Sequence, residues 1–268
     1  MLKFICFGSG SSGNCYYLNM DGYGLLIDEG IGVRTFKKYF REYGLSFGQV
    51  NAVLVTHDHA DHVKAVGALA AEFHWPVYAL QEVFAGMERN RYLKKKVPAN
   101  LACVFELGAT LELGGFKVTS FAVPHDSSAN CGYAIEAGDV KFCLITDAGH
   151  VNDDMRRYLR AAHYVVMESN YDAAMLACGP YPKSLKNRIM SDRGHMDNVD
   201  AAAFLADELS AEARHVWLCH LSEENNRPER ALETVTSALK AVGRLTEDDA
   251  LVVEALQRRH PSRLYELE

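Results

Sequence analysis

The 268-residue chain is 49% hydrophobic and 24% charged, the balance of a globular protein long enough to bury a substantial core. No apolar run approaches the roughly 18–20 residues that span a bilayer, and the N-terminus lacks the basic-then-apolar pattern of a secretory signal. A formal net charge of −7 argues against a protein that coats polyanions at large, and seven scattered cysteines without a C-x-x-C pair predict buried, reduced thiols in a cytoplasmic protein.

In chain order, apolar runs predict strands near 2–7, 15–20, 23–28, 50–56, 76–80, 101–105, 110–122, 131–137, 140–146, 163–168, 215–219 and 250–255. Helical periodicity predicts helices near 33–43, 61–73, 81–92, 151–161, 171–178, 182–190, 198–210 and 226–241. Strands dominate the first half, helices interrupt them, and no Pro/Ser-rich linker divides the chain. The expectation is a single α/β domain over residues 1–268, with two mixed sheets and helices outside.

The first strand runs into "FGSGSSGN", in which Gly8, Gly10 and Gly13 have the spacing of a dinucleotide-binding loop. That motif needs a helix opening at its third glycine, so that the pyrophosphate rests on the helix N-terminus. The next stretch is instead "CYYLNMDGYGLLID", which reads as strand, Asp-Gly hairpin turn, strand. The loop still offers backbone N–H groups and the side chains of Ser9, Ser11, Ser12 and Asn14 to a phosphate; a plain strand-to-strand connection is the alternative.

The segment "AVLVTHDHADHV" carries most of the chemistry. A β-branched run ends in His57-Asp58-His59-Ala60-Asp61-His62, and a helix begins there. Alternate side chains of an extended segment share a face, so His57 and His59 point together while Asp58 points away. Asp61 and His62 stand on the first helical turn, whose dipole favours the carboxylate. Imidazoles with a carboxylate and no thiolate suit an open site for Zn²⁺, Mn²⁺ or Fe²⁺, against the alternative of a solvated, His-rich turn. His125, Asp147 and His220 each come after an apolar strand in the same way, where scaffolds present functional groups on loops.

The order H-x-H-x-D-H, then His, Asp and His, resembles the metallo-β-lactamase superfamily in its dinuclear hydrolase branch. The likeness runs from about Phe4 to Asn226 and includes "LLIDEG", similar to the superfamily's strand ending in a bracing Asp. The resemblance implies a four-layer αβ/βα sandwich. It implies one metal on His57, His59 and His125, a second on Asp61, His62 and His220, Asp147 bridging the two, and Asp28 orienting the ligands. The "GHMDN" stretch resembles the motif of ribonuclease Z relatives in which a His faces the scissile phosphate, which gives His195, with Asp61 and Asp147, a catalytic role. "GSGSSGN", "ESNYD", "GHMDN" and "LCHLSEENN" together resemble the bacterial YycJ/WalJ-type metallo-hydrolases, a family of DNA exonucleases.

The resemblance therefore implies a phosphodiesterase with two divalent ions, Zn²⁺ or Mn²⁺, and a hydroxide bridging them. It would hydrolyse DNA from its ends as a 5′→3′ exodeoxyribonuclease. Arg188 and Asn225 join Ser9, Ser11, Ser12 and Asn14 as candidate substrate contacts. The basic segments 88–100 and 181–195 are candidate backbone grips, with Tyr92 and Tyr181 as candidate stacking rings, although a charge run is usually a solvated face. The alternative is a small-molecule metallo-hydrolase, either a cyclic-phosphate or nucleotide diesterase or a thioesterase. The run from Asp147 to His220 has no room for the clasp domain of RNA-cleaving β-CASP nucleases. The run from His125 to Asp147 has none for the arm of ribonuclease Z.

Overall fold

A computed structural model describes residues 1–246 and 250–268. The strands are β1 (Leu2–Gly8), β2 (Cys15–Met20), β3 (Tyr23–Ile27), β4 (Val50–Leu54), β5 (Val77–Ala79), β6 (Ala102–Val104), β7 (Thr110–Leu113), β8 (Phe116–Ala122), β9 (Cys131–Ala137), β10 (Val140–Ile145), β11 (Tyr164–Glu168), β12 (His215–Cys219), β13 (Val252–Ala255) and β14 (Tyr265–Leu267). The helices are α1 (Val33–Glu42), α2 (Ala60–Val63), α3 (Val66–Phe73), α4 (Gln81–Arg89), α5 (Asp153–Leu159), α6 (Ala173–Cys178), α7 (Lys183–Ile189), α8 (Asn198–Glu208) and α9 (Pro228–Ala241). Two mixed seven-stranded sheets result, ordered β14-β1-β2-β3-β4-β5-β6 and β13-β12-β11-β10-β9-β8-β7.

The chain forms two compact units. One comprises Met1–Ser120, Ser127–Asn130 and Gln257–Glu268, the other Phe121–Asp126 and Cys131–Leu256. In the first unit, β1, β2 and β3 are antiparallel neighbours and β3, β4, β5 and β6 run parallel. Helix α1 places Phe36 and Phe40 one turn apart on its buried face. Rings then stack in a chain from Phe40 to Phe47, Phe73 and Trp75 at centroid distances of 5.0, 4.8 and 4.7 Å. Each buried Phe contributes about 1.5–3 kcal/mol of apolar burial, and this stack ties α1 to the end of α3.

In the second unit, β10, β11, β12 and β13 are parallel and β9 pairs with β10 across the expected hairpin. Ala231, Val235 and Leu239 of α9 recur every four residues and join Ala201, Ala202 and Leu205 of α8 in one apolar core with Val165, Met167, Val216 and Leu218. The parallel strands β11 and β12 are buried along their whole length, as sheets covered on both faces require.

Every predicted strand and helix is present, with three differences. The strand expected over 110–122 is a hairpin, β7 and β8, turning at Gly114 and Gly115 with φ of 54° and 90°. The edge strand β14, too short to show a period, pairs with β1. The helix expected over 61–73 is broken into α2 and α3. In an unbroken helix Ala65 N would donate to the Asp61 carbonyl; instead it donates to Glu29 O (2.9 Å), and the Asp61 carbonyl accepts from Asn14 N (2.8 Å). Two loops have inserted their backbone into the helical ladder.

The glycine loop is therefore a packing device. No helix succeeds it; β2 begins at Cys15. A Cβ on Gly13 would lie 2.7 Å from the Gly30 carbonyl oxygen, and one on Gly30 would lie 1.6 Å from that of Asp61. Only glycine lets these three stretches of main chain touch. Cys6 and Cys143, within β1 and β10, are fully buried, and burial pushes the Cys6 thiol up to about 12, which leaves it protonated and inert. Among the described residues no helix is long and apolar enough to cross a membrane.

Candidate metal centre

Parallel strands deliver their C-terminal ends to one edge of a sheet, and both units use that edge. In the first, β3 leads to Asp28 and β4 to Thr56. Asp28 is fully buried with φ of 58°. Its Oδ1 accepts from Thr56 N at 2.8 Å, and its Oδ2 accepts from the Thr56 hydroxyl at 2.8 Å and from His62 Nδ1 at 2.7 Å. The Thr56 hydroxyl has one proton, given to Asp28, so it accepts from His57 Nδ1 at 3.0 Å. Both imidazoles thus carry their proton on Nδ1 and present Nε2 as the acceptor nitrogen, the form that binds a cation. The rings of His57 and His59 stand 4.8 Å apart, and those of His57 and His62 4.0 Å. Asp58 points away, as the alternation predicts, and accepts from Ser128 N and Oγ at 3.0 and 2.8 Å.

The residue after Asp28 behaves oppositely. Glu29 is buried, and neither of its carboxyl oxygens has a hydrogen-bond partner among the described residues. Burial pushes its carboxyl well above the ordinary range, against a weaker pull from Lys64.

In the second unit, β10 leads to Asp147, β11 ends on Glu168 and β12 leads to His220. Asp147 and His220 have φ of 53° and 52°. Glu168, absent from the ligand set implied by the sequence, is the hub. Its Oε1 accepts from His195 Nδ1 at 2.8 Å and from His220 Nδ1 at 3.0 Å. Its Oε2 accepts from Ala148 N at 2.7 Å and Met196 N at 3.2 Å. Burial pushes this carboxyl up, but the charge of His195 and the hydrogen bonds of His195 and His220 outweigh it, opposed by nearby Asp147. The group is held below its ordinary value. The sequence does carry a signal for Glu168, an acid at the tip of the apolar strand "YVVME", as at the other strand ends.

His125 is held from both sides by the residues before α8. Its Nδ1 donates to Gly194 O at 2.8 Å, and Arg193 Nη2 and Nε donate to its carbonyl at 2.9 and 3.1 Å. Its Nε2 lies 3.7 Å from Asp147 Oδ1, which is also 3.5 Å from His220 Nδ1 and 3.7 Å from His195 Nδ1. Ligands about 2.0–2.2 Å from a tetrahedral ion sit roughly 3.4 Å apart, so the separation of His125 Nε2 from Asp147 Oδ1 suits donors that share a cation, whereas the Nδ1 atoms of His195 and His220 are engaged by Glu168. One donor atom from each of Asp147, Glu168, His195 and His220 lies within 4.8 Å of the others. Glu168 already accepts four hydrogen bonds, which leaves Asp147 and the free imidazole nitrogens of His125 and His220 as the donors to an ion. The residues present fit a divalent metal of the borderline class.

The candidate substrate contacts divide. Ser11 and Ser12 are exposed at the glycine loop. Asn14 is buried; its Oδ1 accepts from Gly10 N at 2.8 Å and its amide nitrogen lies 2.9 Å from His62 Nε2, so it secures the loop against a ligand. Ser9, expected at the substrate, is fully buried with its hydroxyl 3.1 Å from that of Tyr16, and it shapes the loop. Asn225, also fully buried, accepts from Asp172 N at 2.8 Å through its main-chain carbonyl and braces the turn after His220. Arg188 is paired with Asp126, the neighbour of His125, through Nη2 at 2.9 Å and through Nε. The structure thus corrects the expectation for Ser9, Asn14 and Asn225, whose side chains are turned into the protein, while Arg188 lies at the surface paired with Asp126.

Known proteins share this fold. The metallo-β-lactamase fold protein YhfI of Bacillus subtilis aligns over 97% of this chain and 98% of its own with a TM-score of 0.69, at 18% identity. The model of the β-lactamase superfamily domain matches residues 24–221, which run through both units. The chain belongs to the metallo-β-lactamase superfamily, as a YycJ-like hydrolase. Exodeoxyribonuclease YycJ of Bacillus anthracis is 38% identical over 242 residues, 90% of each chain. Exodeoxyribonuclease WalJ of Streptococcus pneumoniae is 35% identical over 237 residues, 88% of each.

Proposed function

We propose that the protein is a metal-dependent phosphodiesterase that degrades DNA from its ends, a 5′→3′ exodeoxyribonuclease of the cytoplasm. The observation that carries this reading is the 38% identity to Exodeoxyribonuclease YycJ over nine-tenths of both chains. In this reading the two units act as one domain and hold two divalent ions, Zn²⁺ or Mn²⁺. His57, His59 and His125 hold one, Asp61, His62 and His220 the other, and Asp147 is shared. When bound, such ions acidify water and neutralise charge on a phosphodiester.

The chain's own residues supply orientation and a proton. Asp28 directly, and through Thr56, fixes the tautomers of His62 and His57. Glu168 does the same for His195 and His220, holding the Nδ1 of each ring on one carboxylate oxygen. The remaining nitrogen of His195, Nε2, then gives its proton to the departing 3′-oxygen of the scissile bond.

The test is hydrolysis of an aryl phosphodiester and of 5′-labelled DNA by the purified, metal-analysed protein, with cyclic phosphates and thioesters as competing substrates. Asp147→Ala is expected to lower diester turnover by about 10³-fold or more. Asp147→Asn, which tolerates the left-handed backbone there, checks that the loss is chemical. Undiminished turnover in both variants, or thioester hydrolysis without diester hydrolysis, overturns the reading.

A further inference from the structure

The loop after α4 contains an exposed ring among cations, and it is not slack. Asn90 Oδ1 accepts from Tyr92 N at 3.0 Å, and Asn90 Nδ2 donates to the carbonyl of Asp58 at 3.0 Å. Asp58 is the residue between His57 and His59, so the loop is tied to the main chain that carries two proposed ligands. Leu93 is buried. Lys96 Nζ donates to the carbonyls of Met87 and Asn90 at 2.6 and 2.9 Å, closing the end of α4. On the far side the main chain of Lys95 sits so close to α3 that a Cβ on Gly67 would lie 2.3 Å from its carbonyl oxygen.

From this pinned base Tyr92 projects with 81% of its surface exposed, the largest value among the exposed large hydrophobic side chains. Arg91, Lys94 and Lys95 flank it, all exposed, and none makes an ion pair among the described residues. The second basic segment is unlike it. Tyr181 packs on the cluster of Tyr171, Leu176 and Ile189, Lys186 Nζ donates to Ala177 O at 2.7 Å, and Arg188 is paired with Asp126.

An aromatic face left to solvent on a loop hydrogen-bonded at its base, with three uncompensated cations in a chain of net charge −7, has the composition of a single-strand binding platform. Rings of this kind stack on unpaired bases, and the cations neutralise the adjoining phosphates. A duplex hides its base faces in the stack and offers a ring only phosphates and groove edges.

We propose that Tyr92, with Arg91, Lys94 and Lys95, forms a stacking platform for single-stranded DNA beside the His57–His59 ligand strand. The proposal rests on the diesterase reading for its substrate class, but its test does not depend on cleavage. A fluorescent phosphorothioate oligo-dT of about ten nucleotides, resistant to hydrolysis, is titrated against the full chain and read by anisotropy. Tyr92→Ala is expected to weaken binding roughly tenfold, Tyr92→Phe to restore it, and a duplex of the same length to bind both proteins alike. Lys94→Ala and Lys95→Ala should each lower the slope of log affinity against log salt by about 0.7. Equal single-strand affinity of Tyr92→Ala and wild type, including no measurable binding by either, overturns the platform, as does an equal loss on the duplex. Failure of the wild type to cleave an aryl phosphodiester would instead overturn the diesterase reading alone.

Discussion

The two ligand edges solve one problem with different resources. In the first unit Asp28 gathers a backbone N–H, a hydroxyl and an imidazole, and reaches a second imidazole only through Thr56. In the second, Glu168 takes two imidazoles directly on one oxygen and two backbone N–H groups on the other. The longer side chain spans two strand tips and the start of α8, so one carboxylate ties a proposed proton donor to a proposed ligand. Asp28 orders ligands only. Asp28 is therefore expected to act on metal retention alone, and Glu168 on turnover besides.

The largest expected effect tests that division at its chemical end. His195→Ala should lower kcat on DNA by about 10²–10⁴-fold while bound metal, measured by atomic absorption, stays at the wild-type level. A parallel loss of metal would make His195 a ligand and erase the contrast. Next come the two carboxylates. Glu168→Gln and Asp28→Asn should each cost roughly 10–100-fold, the former in kcat at full metal occupancy and the latter in metal affinity. Matching losses in the same quantity would show that the edges do not differ.

The smallest effect concerns stability and pH, where the units differ in sign. Glu168 is held below the ordinary glutamate value, so its stabilisation is in place above that value and is lost as pH falls through its folded value. Glu29 is raised above it, so its contribution is in place below the ordinary value and is lost as pH rises through the folded one. Glu29→Gln should therefore gain on wild type with rising pH in that window, by at most about 1.4 kcal/mol per pH unit. Urea denaturation across the acid-to-neutral range measures the difference, and a constant gap would mean that Glu29 has an unrecognised partner.

Much of the fold and of the centre is legible in the sequence. Strands β4, β8, β10 and β12 announce themselves as apolar runs, and each leads to a residue type that binds metal, so His57, His125, Asp147 and His220 stand out as candidate ligands from position alone. Glu168 is equally visible as the last residue of "YVVME" yet does not declare its role, because a carboxylate that serves other side chains has the same sequence signature as one that serves an ion. The break between α2 and α3 is not legible at all. It arises from Asn14 and Glu29, distant in the chain, taking hydrogen bonds from a segment whose own periodicity is helical. Ser9 and Asn225 mislead for a related reason, since polarity in a loop does not report which way the side chain faces.

The left-handed backbone at Asp28, Asp147 and His220 also sets a limit on redesign. At these three positions a replacement must pass a conformational filter before its coordination chemistry matters. Asn, Asp, Gly and His pass with little penalty, whereas a cysteine, glutamate or threonine carries about 1–2 kcal/mol of backbone cost before it meets an ion. Efforts to retune this scaffold toward a thiophilic metal should begin at His59 or Asp61, outside that group.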